Sequence, residues 1–149
     1  MVTKDDFWNF MCDTLEYRFF SGVACKGFDI LYKRMPVSKM HYIPAVNERT
    51  AIYLCKGTAL AGVNSAVFIS SSGLFTVAEV YDGFIDEFDT SIFIFAFMDV
   101  KVDTKLLPSA LPYITLGAKS SMKQIEKFFA KTIAARKNGL LFVNKGFFI

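Results

Sequence analysis

Cysteine, histidine, tryptophan and proline are all scarce in this sequence, at three, one, one and four of 149 residues. The cysteines (Cys12, Cys25, Cys55) are odd in number and none are spaced C-x-x-C, which excludes a disulfide framework and points to reduced thiols in a cytoplasmic setting. A single histidine, His41, with no Cys/His cluster around it, excludes an ordinary zinc site. The longest strongly apolar run spans residues 92–98, far short of the about 20 that cross a bilayer. The opening MVTKDDFW puts two acids where a signal peptide carries positive charge, so no secretory segment is expected. There is no G-x-G-x-x-G, no G-x-x-x-x-G-K and no G-x-S-x-G, so dinucleotide binding, P-loop chemistry and a nucleophile elbow have no handle here.

What is abundant is apolar. Hydrophobic residues make up 53% and aromatics 16%, with seventeen phenylalanines, which rules out intrinsic disorder. The length fits one domain over residues 1–149, since one core organises roughly 100–200 residues. A net charge of +3 is too small to argue for nucleic acid, and the basic C-terminal part lacks the interleaved aromatics of a stacking platform. The charge is nevertheless uneven. Residues 57–100 hold six acids and no Lys or Arg, whereas residues 101–149 hold nine bases and two acids. Two solvated helices, or two faces that meet oppositely charged faces of a partner subunit, both account for this.

Apolar spacing predicts a helix from Thr3 to about Tyr17, a strand over 19–24 and a helix over 27–34. A strand over 41–46 follows, then a helix capped by Asn47 whose inner face is Ile52, Cys55, Ala59 and Gly62. A strand over 65–70 leads through Ser71-Ser72-Gly73 into an acidic helix over 74–87. The run 92–98 reads as a strand covered on both faces, 99–112 as loop or one weak turn, and 113–116 as a short strand. Ser120 is expected to cap a basic helix over 121–137, and 140–143 is the last strand. This alternation predicts an α/β three-layer sandwich with a mostly parallel sheet of about six strands. Ligands of such sheets sit beyond the carboxyl ends of the strands, which singles out 24–26, 46–48, 70–73 and 99–101.

Each candidate there has a plain structural alternative. Ser72 and Gly73 open a helix and offer backbone N–H groups to an anion, or simply cap it. Cys25 is an inert thiol by default, with Lys26 beside it as a polar neighbour. Together they are the candidate substrate contacts. Glu48 either complements a helix dipole, worth about 0.3–1 kcal/mol, or faces a ligand. His41 is expected to be structural.

The run from His41, with Asn47-Glu48, Ala51, Gly57, Leu60-Ala61-Gly62 and Ser72-Gly73-Leu74, resembles the pyrimidine-binding domain of thiamine-diphosphate-dependent decarboxylases of the phosphonopyruvate and sulfopyruvate type. Phe19-Phe20-Ser21-Gly22-Val23 and the closing NGLLFVNKGF extend the resemblance over most of the chain. It implies the thiamine-diphosphate-binding fold, with Glu48 as the catalytic carboxyl that hydrogen-bonds N1′ of the aminopyrimidine. That bond favours the imino tautomer, which deprotonates the thiazolium carbon. Glu48, Ser72, Gly73 and Leu74 are then the cofactor-binding residues, and a 2-oxo acid is the substrate. The chain departs from the family at Ser70-Ser71, where the decarboxylases carry amide side chains, at Phe75 in place of a glycine, at Ala24 in place of a proline, and at Met98-Asp99-Val100-Lys101 in place of a basic motif. No G-D-G occurs, so the diphosphate and Mg2+ are expected on a separate subunit, in a homo- or hetero-oligomer with neither nucleic acid nor membrane as partner. The alternative implied by the departures is a non-catalytic relative acting as a binding or assembly module.

Overall fold

The computed structural model describes residues 2–80 and 90–149. Six strands, β1 (Phe19–Gly22), β2 (His41–Pro44), β3 (Ser65–Ser70), β4 (Phe93–Phe97), β5 (Tyr113–Leu116) and β6 (Gly139–Val143), form one sheet in the order β2-β1-β3-β4-β6-β5. Every neighbouring pair is parallel, so the expected mostly parallel sheet is wholly so. Each crossover therefore needs a connection over one face, which makes this a three-layer α/β fold.

The period of two along the strands sorts side chains between two cores. Phe20, Ala66, Phe68, Phe93, Phe95, Leu141 and Val143 point to the layer of α1 (Lys4–Trp8), α2 (Asp29–Tyr32) and α5 (Met122–Ala134). Phe19, Val67, Ile69, Ile94, Ala96, Leu140 and Phe142 point to the layer of α3 (Glu48–Leu60) and α4 (Leu74–Val80). Ala51 and Cys55 keep the inner stripe of α3 small. The Cys55 thiol donates to the Ala66 carbonyl at 3.2 Å, fixing the helix on β3.

Several expected elements are shorter or differently built. The first helix passes after Trp8 into a π-helix, Asn9–Thr14, and stops at Glu16 in the left-handed region (φ 56°). The segment expected as one helix over 27–34 is a 3-10 turn, Lys26–Phe28, followed by the single turn of α2. α3 ends at Leu60, so Gly62 (φ 87°) makes the turn after the helix and is not on its inner face. α5 is capped by Ser121 and not Ser120, because Gln124 Oε1 accepts the Ser121 N–H at 2.9 Å. It ends at Ala134, and Arg136 (φ 54°) turns the chain back. Asn138 then enters the interior, where its Oδ1 accepts the Ile92 N–H at 2.9 Å. The part of the acidic helix expected beyond Val80 lies outside the described residues.

Among the described residues no helix is long and apolar enough to cross a membrane.

Candidate functional site

β1 connects outward to β2 on one side, while β3 connects outward to β4 on the other. The order in which strands are added therefore reverses between β1 and β3, and the crevice of such a switch point belongs beyond their carboxyl ends, at Gly22 and Ser70. Gly22 is required there by contact. A Cβ on it would stand 2.2 Å from the Phe68 carbonyl oxygen.

α3 delivers Glu48 to this crevice. Asn47 is the N-cap, its Oδ1 accepting the Thr50 N–H at 2.8 Å, so Glu48 is the first residue of the helix. Its side chain is half-buried and lies against Gly73, which follows β3. A Cβ on Gly73 would fall 2.5 Å from Glu48 Cγ and 2.5 Å from Oε1. Two residues 25 apart in sequence thus meet, and glycine is what lets the carboxylate lie there. That carboxylate has no hydrogen-bond or ion-pair partner among the described residues. Its neighbour Arg49 instead reaches Glu79 of α4 at 2.9 Å.

The serine turn beside Gly73 is already engaged. Asp99, just past β4, accepts from Ser71 Oγ (2.7 Å), the Ser72 N–H (3.1 Å) and Ser72 Oγ (3.1 Å). Ser71 Oγ is also tied to the Val100 backbone, and Ser70 and Ser72 share a 2.5 Å hydroxyl contact. Desolvation tends to raise the Asp99 carboxyl, but the hydrogen bonds from Ser71 and Ser72 outweigh it and hold it below the usual aspartate range. The Ser72 N–H, a candidate anion ligand from sequence, is spent on this internal carboxylate. Leu74 is buried in the aliphatic core and anchors the turn from below.

Cys25 lies half-buried after β1. Burial raises its thiol pKa and the Asp99 charge adds to that, while the backbone N–H groups of Gly27 and Phe28 act in the opposite direction. Lys26 is exposed and lines a different cleft, with Phe97, Asn144 and Lys145 beyond β4 and β6. His41 is exposed at the amino end of β2, whereas Glu48 lies beyond the carboxyl ends of the strands. Cys55 and Cys12 are buried thiols pushed up by desolvation to about 12 and about 11, which leaves them unreactive.

Glu48, Gly73 and Leu74 are therefore brought together, Ser72 joins them through Asp99, and Lys26 is separate. The crevice fits the aminopyrimidine half of a thiamine cofactor in one specific respect: an unpartnered, half-buried carboxylate stands over a glycine at the switch point. Sequence reading placed Asp99 at the edge of the crevice but did not reveal that it clasps the serines. The signal available was its position directly after a strand adjacent to β3.

No protein-family profile and no curated protein matches the sequence. Solved structures do match. One is 2-oxoglutarate:ferredoxin oxidoreductase from Magnetococcus marinus, with 2-oxoglutarate, coenzyme A and succinyl-CoA bound (TM-score 0.69, 16% identity, 98% of this chain and 29% of that one). Another is a protein from Mycobacterium smegmatis assigned to the thiamin diphosphate-dependent enzymes (TM-score 0.66, 15% identity, 96% and 30%). The chain spans about three tenths of the length of these structures. At such identities the likeness is one of fold alone, and the fold is that of a domain in each of these two structures.

Proposed function

We propose that this chain is the pyrimidine-binding subunit of a thiamine-diphosphate-dependent 2-oxo-acid decarboxylase, a carboxy-lyase built like those of the phosphonopyruvate and sulfopyruvate type. A separate diphosphate-binding subunit completes it and holds Mg2+, and the assembly is a cytoplasmic oligomer. The observation that carries the reading is the open Glu48 carboxylate lying on Gly73 at the sheet's switch point. The fold supports it, and so does the 2-oxo acid bound in one of the matched structures.

Thiamine diphosphate, when bound, supplies an electron sink for loss of carbon dioxide from a 2-oxo acid. The chain's own part is to place a proton. Glu48 would be the group that shares this proton with the aminopyrimidine, and its half-buried position would strengthen such a hydrogen bond. Gly73 leaves room for the carboxylate, Leu74 holds the turn against the core, and Ser72 is fixed by Asp99. Cys25, just past β1, is the substrate-side residue of this reading, whereas Lys26 lines a separate cleft and takes no part in it.

Glu48→Gln in the complex reconstituted with the diphosphate-binding subunit should lower thiamine-diphosphate-dependent decarboxylation by about 10²–10⁴-fold, since an amide cannot share the proton. Circular dichroism and subunit association should be unchanged. Full activity in the glutamine variant would overturn the assignment. A second reading, a non-catalytic binding or assembly module, is favoured by the serine turn already filled by Asp99. It predicts a complex that assembles but turns over no 2-oxo acid even with Glu48 intact.

A further inference from the structure

Beside the Glu48 crevice lies a second cleft of about 240 Å³. α4 forms one wall with Leu74, Phe75 and Ala78, and the segment after β4 forms the other with Val102, Leu106 and Leu107. Ser71 and Ser72 make the floor, one residue from the glycine that carries Glu48. The walls are aliphatic or aromatic, and two of them stand well out of the fold's own core, Phe75 at 70% exposure and Leu106 at 60%.

The polar groups at the floor have nothing left to give. Ser71 Oγ, the Ser72 N–H and Ser72 Oγ all donate to Asp99. A phosphonate or sulfonate entering here would meet apolar walls and spent donors, and would lose its hydration without replacement. Charge is confined to Lys101 and Asp103. Asp103 Oδ1 caps its own turn by accepting the Lys105 N–H at 3.0 Å, whereas Lys101 has no ion-pair partner among the described residues. The cleft is smaller than the roughly 300–1,000 Å³ of ordinary ligand pockets, enough for a tail of a few carbons or one ring.

We propose that this cleft takes the apolar side chain of a 2-oxo acid, with its carboxylate paired to Lys101, and that the Asp99 clasp excludes acids with an anionic tail. The 2-oxo acid part rests on the function proposed above. The apolar-tail part stands on the cleft alone.

The test is a titration of the methyl-labelled chain, followed by NMR, with 4-methyl-2-oxopentanoate, phenylpyruvate and sulfopyruvate. The two apolar-tailed acids should shift the methyls of Leu74, Val102, Leu106 and Leu107 saturably, at least tenfold more tightly than sulfopyruvate. Ala78→Leu, which fills the cleft from a half-exposed helix position, should abolish those shifts with an unchanged circular dichroism spectrum. Lys101→Met should weaken them several-fold. Glu48→Gln should leave them untouched, which separates this proposal from the cofactor assignment. Absence of saturable shifts at these methyls would overturn the proposal. So would equal binding of sulfopyruvate there, or sulfopyruvate binding at Val143 and Ile30 beside Lys26 and Lys145. Preferred turnover of a sulfonate- or phosphonate-tailed acid by the reconstituted complex would overturn it while leaving the decarboxylase reading intact.

Discussion

The two faces of the sheet are built from different materials. The α1–α2–α5 face is a lattice of rings. Phe68 alone meets Phe7, Trp8, Phe20, Phe28, Tyr32 and Phe95, with centroids 5.1 to 6.4 Å away. Phe93 stacks on Phe129 at 3.8 Å. The α3–α4 face is aliphatic and small, with Ala51, Ile52, Cys55, Val67, Ile69 and Val77, and its aromatic members are Phe19 and Phe142. Glu48 and the serine turn belong to the second face. Rings bury large area through few rotatable bonds and interlock edge to face, so the first face supplies rigidity. Small side chains let α3 lie close on β1 and β3, so the first residue of that helix reaches the strand ends.

This division can be broken experimentally, and the largest effect should come from the ringed face. Phe68→Ala removes a fully buried ring at the centre of the lattice and should cost about 3–5 kcal/mol in urea unfolding. Any activity lost should return when the variant is assayed well below its midpoint of unfolding. A loss under about 1 kcal/mol would mean that the lattice is not what holds the sheet.

A smaller stability change with a larger functional one is expected on the other face. Gly73→Ala forces the Glu48 side chain aside, since the new Cβ would lie 2.5 Å from Oε1. The carboxylate end is flexible, so unfolding free energy should fall by no more than about 1 kcal/mol. Thiamine-dependent turnover of the reconstituted complex should fall at least tenfold. Unchanged turnover would show that the contact between Glu48 and Gly73 is incidental.

The smallest effect concerns pH. Asp99 has its pKa lowered in the folded chain, so it contributes stability above the unfolded aspartate value and loses it as pH falls through the folded value. The stability gap between the wild type and Asp99→Asn should therefore be constant near neutrality and close below about pH 4. A gap that widens on acidification would contradict the clasp.

The sequence shows the strands more clearly than the helices. β3 and β5 fall where the sequence puts them, β3 because a doubly covered strand reads as a continuous apolar run, and β5 because Pro112 and Gly117 bound it on either side. The π-helix was not legible, since Phe7, Phe10, Met11 and Leu15 suit either helix within two turns. Ser120 and Ser121 are equivalent as caps until Gln124, three residues after the second, decides between them. Glu48 was legible as a crevice residue from its place after β2. Its seat on Gly73 was not, because that depends on how α3 crosses β1. Lys26 adjoins Cys25 in sequence, yet the 3-10 turn it opens carries it to another cleft. Asp99 grips serines 27 and 28 residues upstream, a relation that exists only once β3 and β4 lie side by side.

The two outermost strands, β2 and β5, are only four residues each, and β2 ends on a proline. An unpaired strand edge is a template on which a foreign strand can add, and long flat edges seed aggregates. Here each border offers scarcely more than one or two ladder bonds, and Pro44 cannot donate one. Growth by strand addition thus has little to start from, since the open borders of the sheet are too short to template it while its two faces are covered by helices.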